Sequence, residues 1–233
     1  MKITWLGQAG LLFETGGKKI LIDPYLSDNV KNFEPANYRR VPVDTRFLQI
    51  KPDVIVITHN HLDHLDKETL KYYLTPDAHA LVLAPNGGWQ ALRAFGGGSN
   101  YVLFDVGTEW SEADIHFTAV KAVHSDPYAI GVILFAEGKN YYVTGDTLYS
   151  EQIFHSLPTV DLEAIFLPVN GNGNNLNMVD ASRFALRSRA RYAIPLHFGM
   201  LDELTADRFV HPGKLLPTLY RELQFPRTPI TSE

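Results

Sequence analysis

The stretch Val54-Ile55-Val56-Ile57-Thr58-His59-Asn60-His61-Leu62-Asp63-His64 decides how the rest of the chain is read. Its first part is a run of β-branched apolar residues, which predicts a buried strand from Val54 to Thr58. Its second part gathers three histidines and an aspartate within six positions, directly after that strand. Side chains two apart on extended backbone point to the same side, so His59 and His61 can share one point in space. If the chain then turns, Asp63 and His64 face a second point close by. The spacing suits two adjacent metal ions better than one. Neutral imidazole and carboxylate are ligands for zinc or manganese, and iron is also accommodated. The alternative, a solvated loop that happens to hold four such residues at ligand spacing, requires a coincidence.

Two ions need more ligands than this run provides. Three downstream residues share its context, a polar side chain at the end of an apolar strand: His124 after Ala119–Val123, Asp146 after Tyr141–Gly145, and His197 after Ala193–Leu196. Strand ends on one edge of a scaffold can converge on a common site. Each also has a plainer reading, as a loop residue beside Ser125-Asp126-Pro127, a turn cap after Gly145, or a polar strand end. Asp23, before Pro24, either orients a ligand histidine or simply closes a strand. His79, His116, His155 and His211 have no partners in sequence and read as surface or internally satisfied residues.

Around this centre the chain alternates short apolar runs with turn residues. Strands are predicted at Ile3–Leu6, Gly10–Glu14 and Lys19–Ile22, with Gly16-Gly17 as a hairpin turn. Ser27 to Thr45 is polar and irregular and reads as a loop over one face. Further strands are predicted at Ala80–Ala84, Tyr101–Asp105, Ile115–Val123, Ala129–Ala136 and Tyr141–Thr144, the last two joined at Glu137-Gly138-Lys139-Asn140. Ala164–Pro168 and Ala193–Leu196 complete the set. Helices are expected over Asp66–Leu74 with Asp66 as N-cap, Trp89–Phe95, Glu151–Leu157 and Val179–Arg189, and a last one within Thr205–Leu223. Strands with interspersed helices predict stacked sheets flanked by helices, an α/β fold. Residues 17–23 and 138–146 form a faint internal echo, each a turn, a strand and a terminal aspartate, though ordinary hairpins also look like this.

With 233 residues and no low-complexity linker, a single domain over residues 1–233 is the expectation. Composition is ordinary for a globular protein, 45% hydrophobic and 20% charged. A formal net charge of -5 gives no basic footprint for nucleic acid, so none is expected as a partner. The absence of cysteine removes disulfides, thiolate metal sites and cysteine nucleophiles. No apolar run reaches the roughly 18 residues of a membrane span, and Met1-Lys2-Ile3-Thr4-Trp5 lacks a signal-peptide core, so a soluble cytoplasmic protein without membrane association is expected. A homo-oligomer is compatible with the sequence.

The order His-X-His-X-Asp-His, then a later His, an Asp after glycine and a final His, resembles the metallo-β-lactamase superfamily. Gly7-Gln8-Ala9-Gly10, Leu21-Ile22-Asp23-Pro24, Leu167-Pro168-Val169-Asn170-Gly171, Asn177-Met178 and Ile194-Pro195-Leu196-His197-Phe198-Gly199 are similar to segments of the branch that includes L-ascorbate-6-phosphate lactonase. The resemblance implies a four-layer αββα sandwich with the site at one edge of the two sheets. It implies that His59, His61 and His124 hold one divalent ion, that Asp63, His64 and His197 hold a second, and that Asp146 bridges them. By formal count such a site carries a charge of +2, or +1 with a bridging hydroxide, which would favour a small anionic substrate. It further implies a hydrolase in which that hydroxide cleaves a lactone, ester or phosphodiester, with Asp63 as the catalytic group that orients the nucleophile and passes its proton to the leaving group. The chain is shorter than the lactonases of that branch, with less room for pocket-forming insertions.

Two other functions fit the same motif. A nuclease of the RNA-processing type shares it, but the acidic charge and the lack of an RNA-binding appendage count against that reading. A non-catalytic metal-binding interaction protein is the other, and all seven ligand positions being present counts against degeneration. An oxygen-reducing di-iron protein would usually place Glu where His61 stands. For substrate contacts, the loop Asn170–Asn175 is either an anion nest or a plain turn. Asn177 is a candidate N-cap. Arg39, Arg40 and Arg46 either reach a phosphate from the long loop or are solvated. Trp89 and Trp110 read as packing residues.

Overall fold

The computed structural model describes residues 1–226. The alternating runs pair into two six-stranded sheets. The first holds β1 (Lys2–Gly7), β2 (Gly10–Thr15), β3 (Lys18–Ile22), β4 (Val54–Val56), β5 (Leu81–Ala84) and β6 (Asn100–Leu103), side by side in chain order. The second holds β7 (Glu109–Glu112), β8 (Ile115–Lys121), β9 (Ile130–Ala136), β10 (Lys139–Val143), β11 (Leu162–Pro168) and β12 (Tyr192–Leu196), also in chain order. Hairpins join β1 to β3 and β7 to β10 antiparallel, and the remaining neighbours are parallel.

The period of two along each strand decides which side chains meet. Leu11, Phe13, Ile20, Ile22, Val54 and Val56 face the second sheet and pack with Phe117, Val132, Leu134 and Phe166. The intervening Leu12, Leu21 and Ile55 turn outward beneath α1 (Lys67–Leu70) and α2 (Asn86–Arg93). On the other side, Ile133, Tyr142 and Ile165 pack under α3 (Glu151–Ser156) and α4 (Met178–Ser188), against Ile153 and Phe184. These are the four αββα layers that the sequence leads one to expect. Among the described residues no helix is long and apolar enough to cross a membrane.

The sense of pairing places the site. β1, β3 and β4 run the same way in one sheet, as do β8, β10, β11 and β12 in the other, so their C-terminal ends share an edge of each sheet. The residues after β4, β8, β10 and β12 are the metal-ligand candidates.

One local expectation needs correction, and two features go beyond the sequence reading. No helix forms within Thr205–Leu223. Pro212, Gly213 and Pro217 interrupt it, and sheet edges take the backbone bonds instead: Leu215 N–H donates to Ala193 O at 3.0 Å, Tyr220 N–H to Trp5 O at 2.9 Å and Leu223 N–H to Ile3 O at 2.8 Å. This segment therefore lies along β12 and then β1, one edge strand of each sheet. Second, the polar sequence Glu109-Trp110-Ser111-Glu112 hides β7, an edge strand paired to β8. Third, the 27–45 loop contains a 3-10 turn at Asn29–Asn32, and another follows at Thr45–Gln49.

Phe13 is fully buried between the sheets, edge-on to Phe166 at 5.7 Å and Tyr141 at 6.2 Å. Phe13→Ala should cost about 3–5 kcal/mol of unfolding free energy, read from denaturant melts at unchanged slope.

Candidate metal centre

The strand predicted from Val54 ends in a turn rather than a helix. His64 N–H and Leu65 N–H both donate to His61 O, at 3.0 and 2.8 Å. That turn brings His61, Asp63 and His64 around beside His59. The loops after β8, β10 and β12 bring in His124, Asp146 and His197. All seven predicted residues meet in two groups whose ligand atoms lie within 4.8 Å of one another: His59, His61, His124 and Asp146 in one, Asp63, His64 and His197 in the other. Asp146 spans the two. Its Oδ2 lies 3.4 Å from His64 Nε2, 3.3 Å from His197 Nε2 and 4.0 Å from His124 Nε2.

Several imidazoles have one nitrogen occupied from outside. His64 Nδ1 lies 2.7 Å from Asp23 Oδ2, His59 Nδ1 3.0 Å from Thr58 Oγ1, and His124 Nδ1 3.2 Å from the Asn174 carbonyl. Held this way, each ring turns its Nε2 toward the cluster. His59 Nε2, His64 Nε2 and Asp146 Oδ1 are buried without any hydrogen-bond partner. Unpartnered buried polar atoms are rare because each carries a desolvation cost. Three of them at the centre of a histidine and carboxylate cluster fit a divalent cation, and the donor set of neutral nitrogen and anionic oxygen fits the same ion.

Asp23 therefore takes the orienting role. Fully buried, it accepts Thr58 N–H at 2.8 Å on Oδ1 and the Thr58 hydroxyl at 2.6 Å on Oδ2, beside His64. The electrostatics divide the cluster. Burial pushes His59 well below its usual range, with the neighbouring His64 adding to the effect, and burial also lowers His124. Burial disfavours charge on His64 too, but Asp146, Asp23 and Asp63 outweigh it and hold that ring well above its usual range. His197 is raised to about 10, Asp146 and Asp63 again outweighing burial. In return His64 and His197 hold Asp63 and Asp146 below the usual carboxylate range, against the effect of burial.

Two contacts were not assigned from the sequence. Gln8 is buried in the β1–β2 turn at φ 48°, and its Nε2 lies 2.9 Å from Asp63 Oδ2 and 3.0 Å from His197 Nδ1. A polar side chain between two glycines at a strand end was the available signal. Asn175 donates from Nδ2 to Asp146 Oδ2 at 2.7 Å. The Asn-Gly loop thus acts through the Asn174 carbonyl and the Asn175 amide, while Asn177 caps α4 by accepting from Val179 and Asp180 N–H.

The arginines do not reach the site. Arg39 donates to Val41 O, Tyr25 O and the Tyr220 hydroxyl; Arg40 to the carbonyls of Tyr38 and Leu201; Arg46 to Asp44. Backbone carbonyls, the Tyr220 hydroxyl and a neighbouring carboxylate take their other donors, while Arg40 Nε is buried without a hydrogen-bond partner, and none of the three lines the cavity that holds Asp63 and His197. His79, His116 and His155 are exposed, and His211 accepts Gly213 N–H on Nδ1; none joins the cluster. Trp89 donates to Tyr101 O and Trp110 packs on the inter-sheet core, as packing residues do.

Residues 2–197 match a family model described as a beta-lactamase superfamily domain. A UPF0173 metal-dependent hydrolase of Geobacillus thermodenitrificans is 29% identical over 244 residues, covering 96% of this chain and 97% of the relative. A UPF0173 protein of Pyrococcus furiosus is 31% identical over 212 residues, covering 90% and 89%. Among solved structures, isothiocyanate hydrolase from Delia radicum gut bacteria shares the fold with a TM-score of 0.75 at 22% identity, over 97% of this chain and 100% of that one.

Asp23→Asn would set an amide donor against the Thr58 hydroxyl or the His64 ring. Metal affinity, measured by competition with a chromophoric chelator, should fall by roughly 10–100-fold while the circular dichroism spectrum is kept.

Proposed function

The chain belongs to the metallo-β-lactamase superfamily of metal-dependent hydrolases, and from that premise we propose that it holds two divalent ions and hydrolyses a small acyl substrate, a lactone or an ester. The observation that carries the two-ion reading is the position of Asp146, whose Oδ2 stands between the two ligand groups. His59, His61 and His124 would hold one ion, Asp63, His64 and His197 the other, and Asp146 both. All donors are nitrogen or carboxylate oxygen with no thiolate, a set that suits zinc or manganese. When bound, such a pair supplies a deprotonated water near neutral pH and polarises the oxygen that gains charge.

The chain's own groups do the rest. Water adds at the acyl carbon, the bond from that carbon to the leaving oxygen breaks, and a proton must reach the leaving alkoxide. Asp63 is the group placed to take that proton from the adding water and pass it on, because it is partly accessible on the lining of a cavity of about 450 Å³ and fixed on one oxygen by Gln8. Gln8 Nε2 also lies 3.0 Å from His197 Nδ1, so one amide bridges the two positions. The cavity volume falls within the range for small-molecule sites. A polynucleotide reading finds no support there, since among the described residues no lysine or arginine lines the cavity.

Protein loaded separately with zinc and with manganese should bind about two ions per chain by elemental analysis and turn over members of a chromogenic lactone and ester panel; chelated protein should not. Asp63→Asn, metal-loaded, should lose on the order of 10²–10⁴ in turnover. Full activity in that variant would remove Asp63 from the proton path.

A further inference from the structure

We propose that the cavity discriminates against anionic acyl substrates in favour of uncharged ones, with Glu34 and Asp202 setting that preference. This rests on the hydrolase reading above and names the substrate class of the same site. The formal charge of a two-ion site predicts attraction for anions. The walls reverse that expectation. Glu34 and Asp202 line the cavity together with Asp63 and Asp146, and among the described residues no lysine or arginine lines it. By formal count the two wall carboxylates exceed the single positive charge left on a loaded site with its hydroxide.

Arg39 and Arg40, on the same loop as Glu34, do not line the cavity. Their guanidinium groups donate to backbone carbonyls and the Tyr220 hydroxyl, and Arg40 Nε is buried 3.9 Å from Glu203 without a hydrogen-bond partner. Neither wall carboxylate has an ion-pair partner among the described residues. Glu34 is exposed, and its carboxylate accepts from Asn37 Nδ2 at 2.6 Å. Asp202 accepts Gly199 and Leu204 N–H on Oδ1, at 2.7 and 3.0 Å, which fixes its charge beside the loop that follows His197.

Outside the candidate ligands the remaining wall is neutral. Val30, Leu62 and Leu201 supply an apolar side, and Asn60 and Asn172 supply amides. Amides give a substrate both donors and acceptors without charge. Together these surfaces fit a molecule with an uncharged polar head at Asp63 and a short apolar arm. A phosphorylated lactone, whose anion would sit in a field of carboxylates, fits poorly.

The test uses metal-loaded full-length protein and three esters that share one acyl core and one leaving group but carry a propyl, a carboxylate or an ammonium side arm. The neutral ester should exceed the anionic one in kcat/KM by about tenfold or more, and Glu34→Lys should narrow that ratio by about tenfold. Glu34→Gln should fall between. Glu34 lies on an exposed loop, so the variants are expected to fold. A higher kcat/KM for the anionic ester, or a ratio unmoved in Glu34→Lys, overturns the proposal. If the loaded protein cleaves none of the three, the hydrolase reading fails separately, and calorimetric binding of the same esters decides the charge preference. Tighter binding of the neutral ester supports it; tighter binding of the anionic ester, or no binding of any, overturns it.

Discussion

A buried carboxylate that accepts three hydrogen bonds holds this structure's working end together. Asp23 sits at the end of β3 with no exposed surface and φ of 45°, and it binds the backbone and hydroxyl of Thr58 and the His64 ring. Polar atoms buried this deeply are costly to leave unpaired, so its partners offset that cost as well as fix its orientation. Those partners lie on either side of the turn that carries His59, His61 and Asp63. One interaction thus ties β3 to the end of β4 and sets the angle at which the histidine turn leaves the sheet. Deeper in the same half, Asp66 caps α1 and binds the Thr69 hydroxyl at 2.5 Å, and Thr69 in turn accepts Leu26 N–H at 2.7 Å. The turn is therefore anchored at both ends.

The two sheets repeat one plan. β1 to β5 and β8 to β12 share the same sequence of pairings, antiparallel twice and then parallel twice. The faint echo between residues 17–23 and 138–146 marks equivalent strands, β3 and β10. Each equivalent position serves the site differently. Asp23 after β3 holds a histidine from behind, while Asp146 after β10 stands between the two ligand groups. Gln8 after β1 and His124 after β8 are likewise equivalent, one a hydrogen-bond donor to Asp63 and the other a candidate ligand. The repeat explains why the ends of so many strands face one point.

The candidate ligands were legible because metal chemistry limits residue types, and because each of the seven follows an apolar strand. The layers were legible for a related reason: Leu11, Phe13, Ile20 and Ile22 alternate with outward-facing partners at a period that only a two-faced strand shows. The C-terminal segment was not legible. Within residues 205–223 the apolar content suggests a helix that Pro212, Gly213 and Pro217 interrupt, and the pairing that replaces it depends on unpaired backbone groups of β12 and β1, a tertiary fact. β7 escaped notice because an edge strand with one wet face need not be apolar. Arg39 and Arg40 read as free charges because their acceptors are carbonyls, which every residue has and no sequence distinguishes.

Chemistry and selectivity therefore occupy different parts of the fold, and the difference is physical. The residues that would hold metal stand at strand ends, several of them fully buried, where a change of side chain strands a partner. The wall carboxylates come from two loops, one carrying Val30 and Glu34 and the other Leu201 and Asp202. The Glu34 carboxylate accepts from Asn37 Nδ2. Replacing it alters the field at the cavity mouth without unmaking a strand, a cap or the Asp23 junction. A scaffold arranged this way can keep its hydrolytic centre fixed while the charge of its preferred substrate changes through exposed loop residues alone.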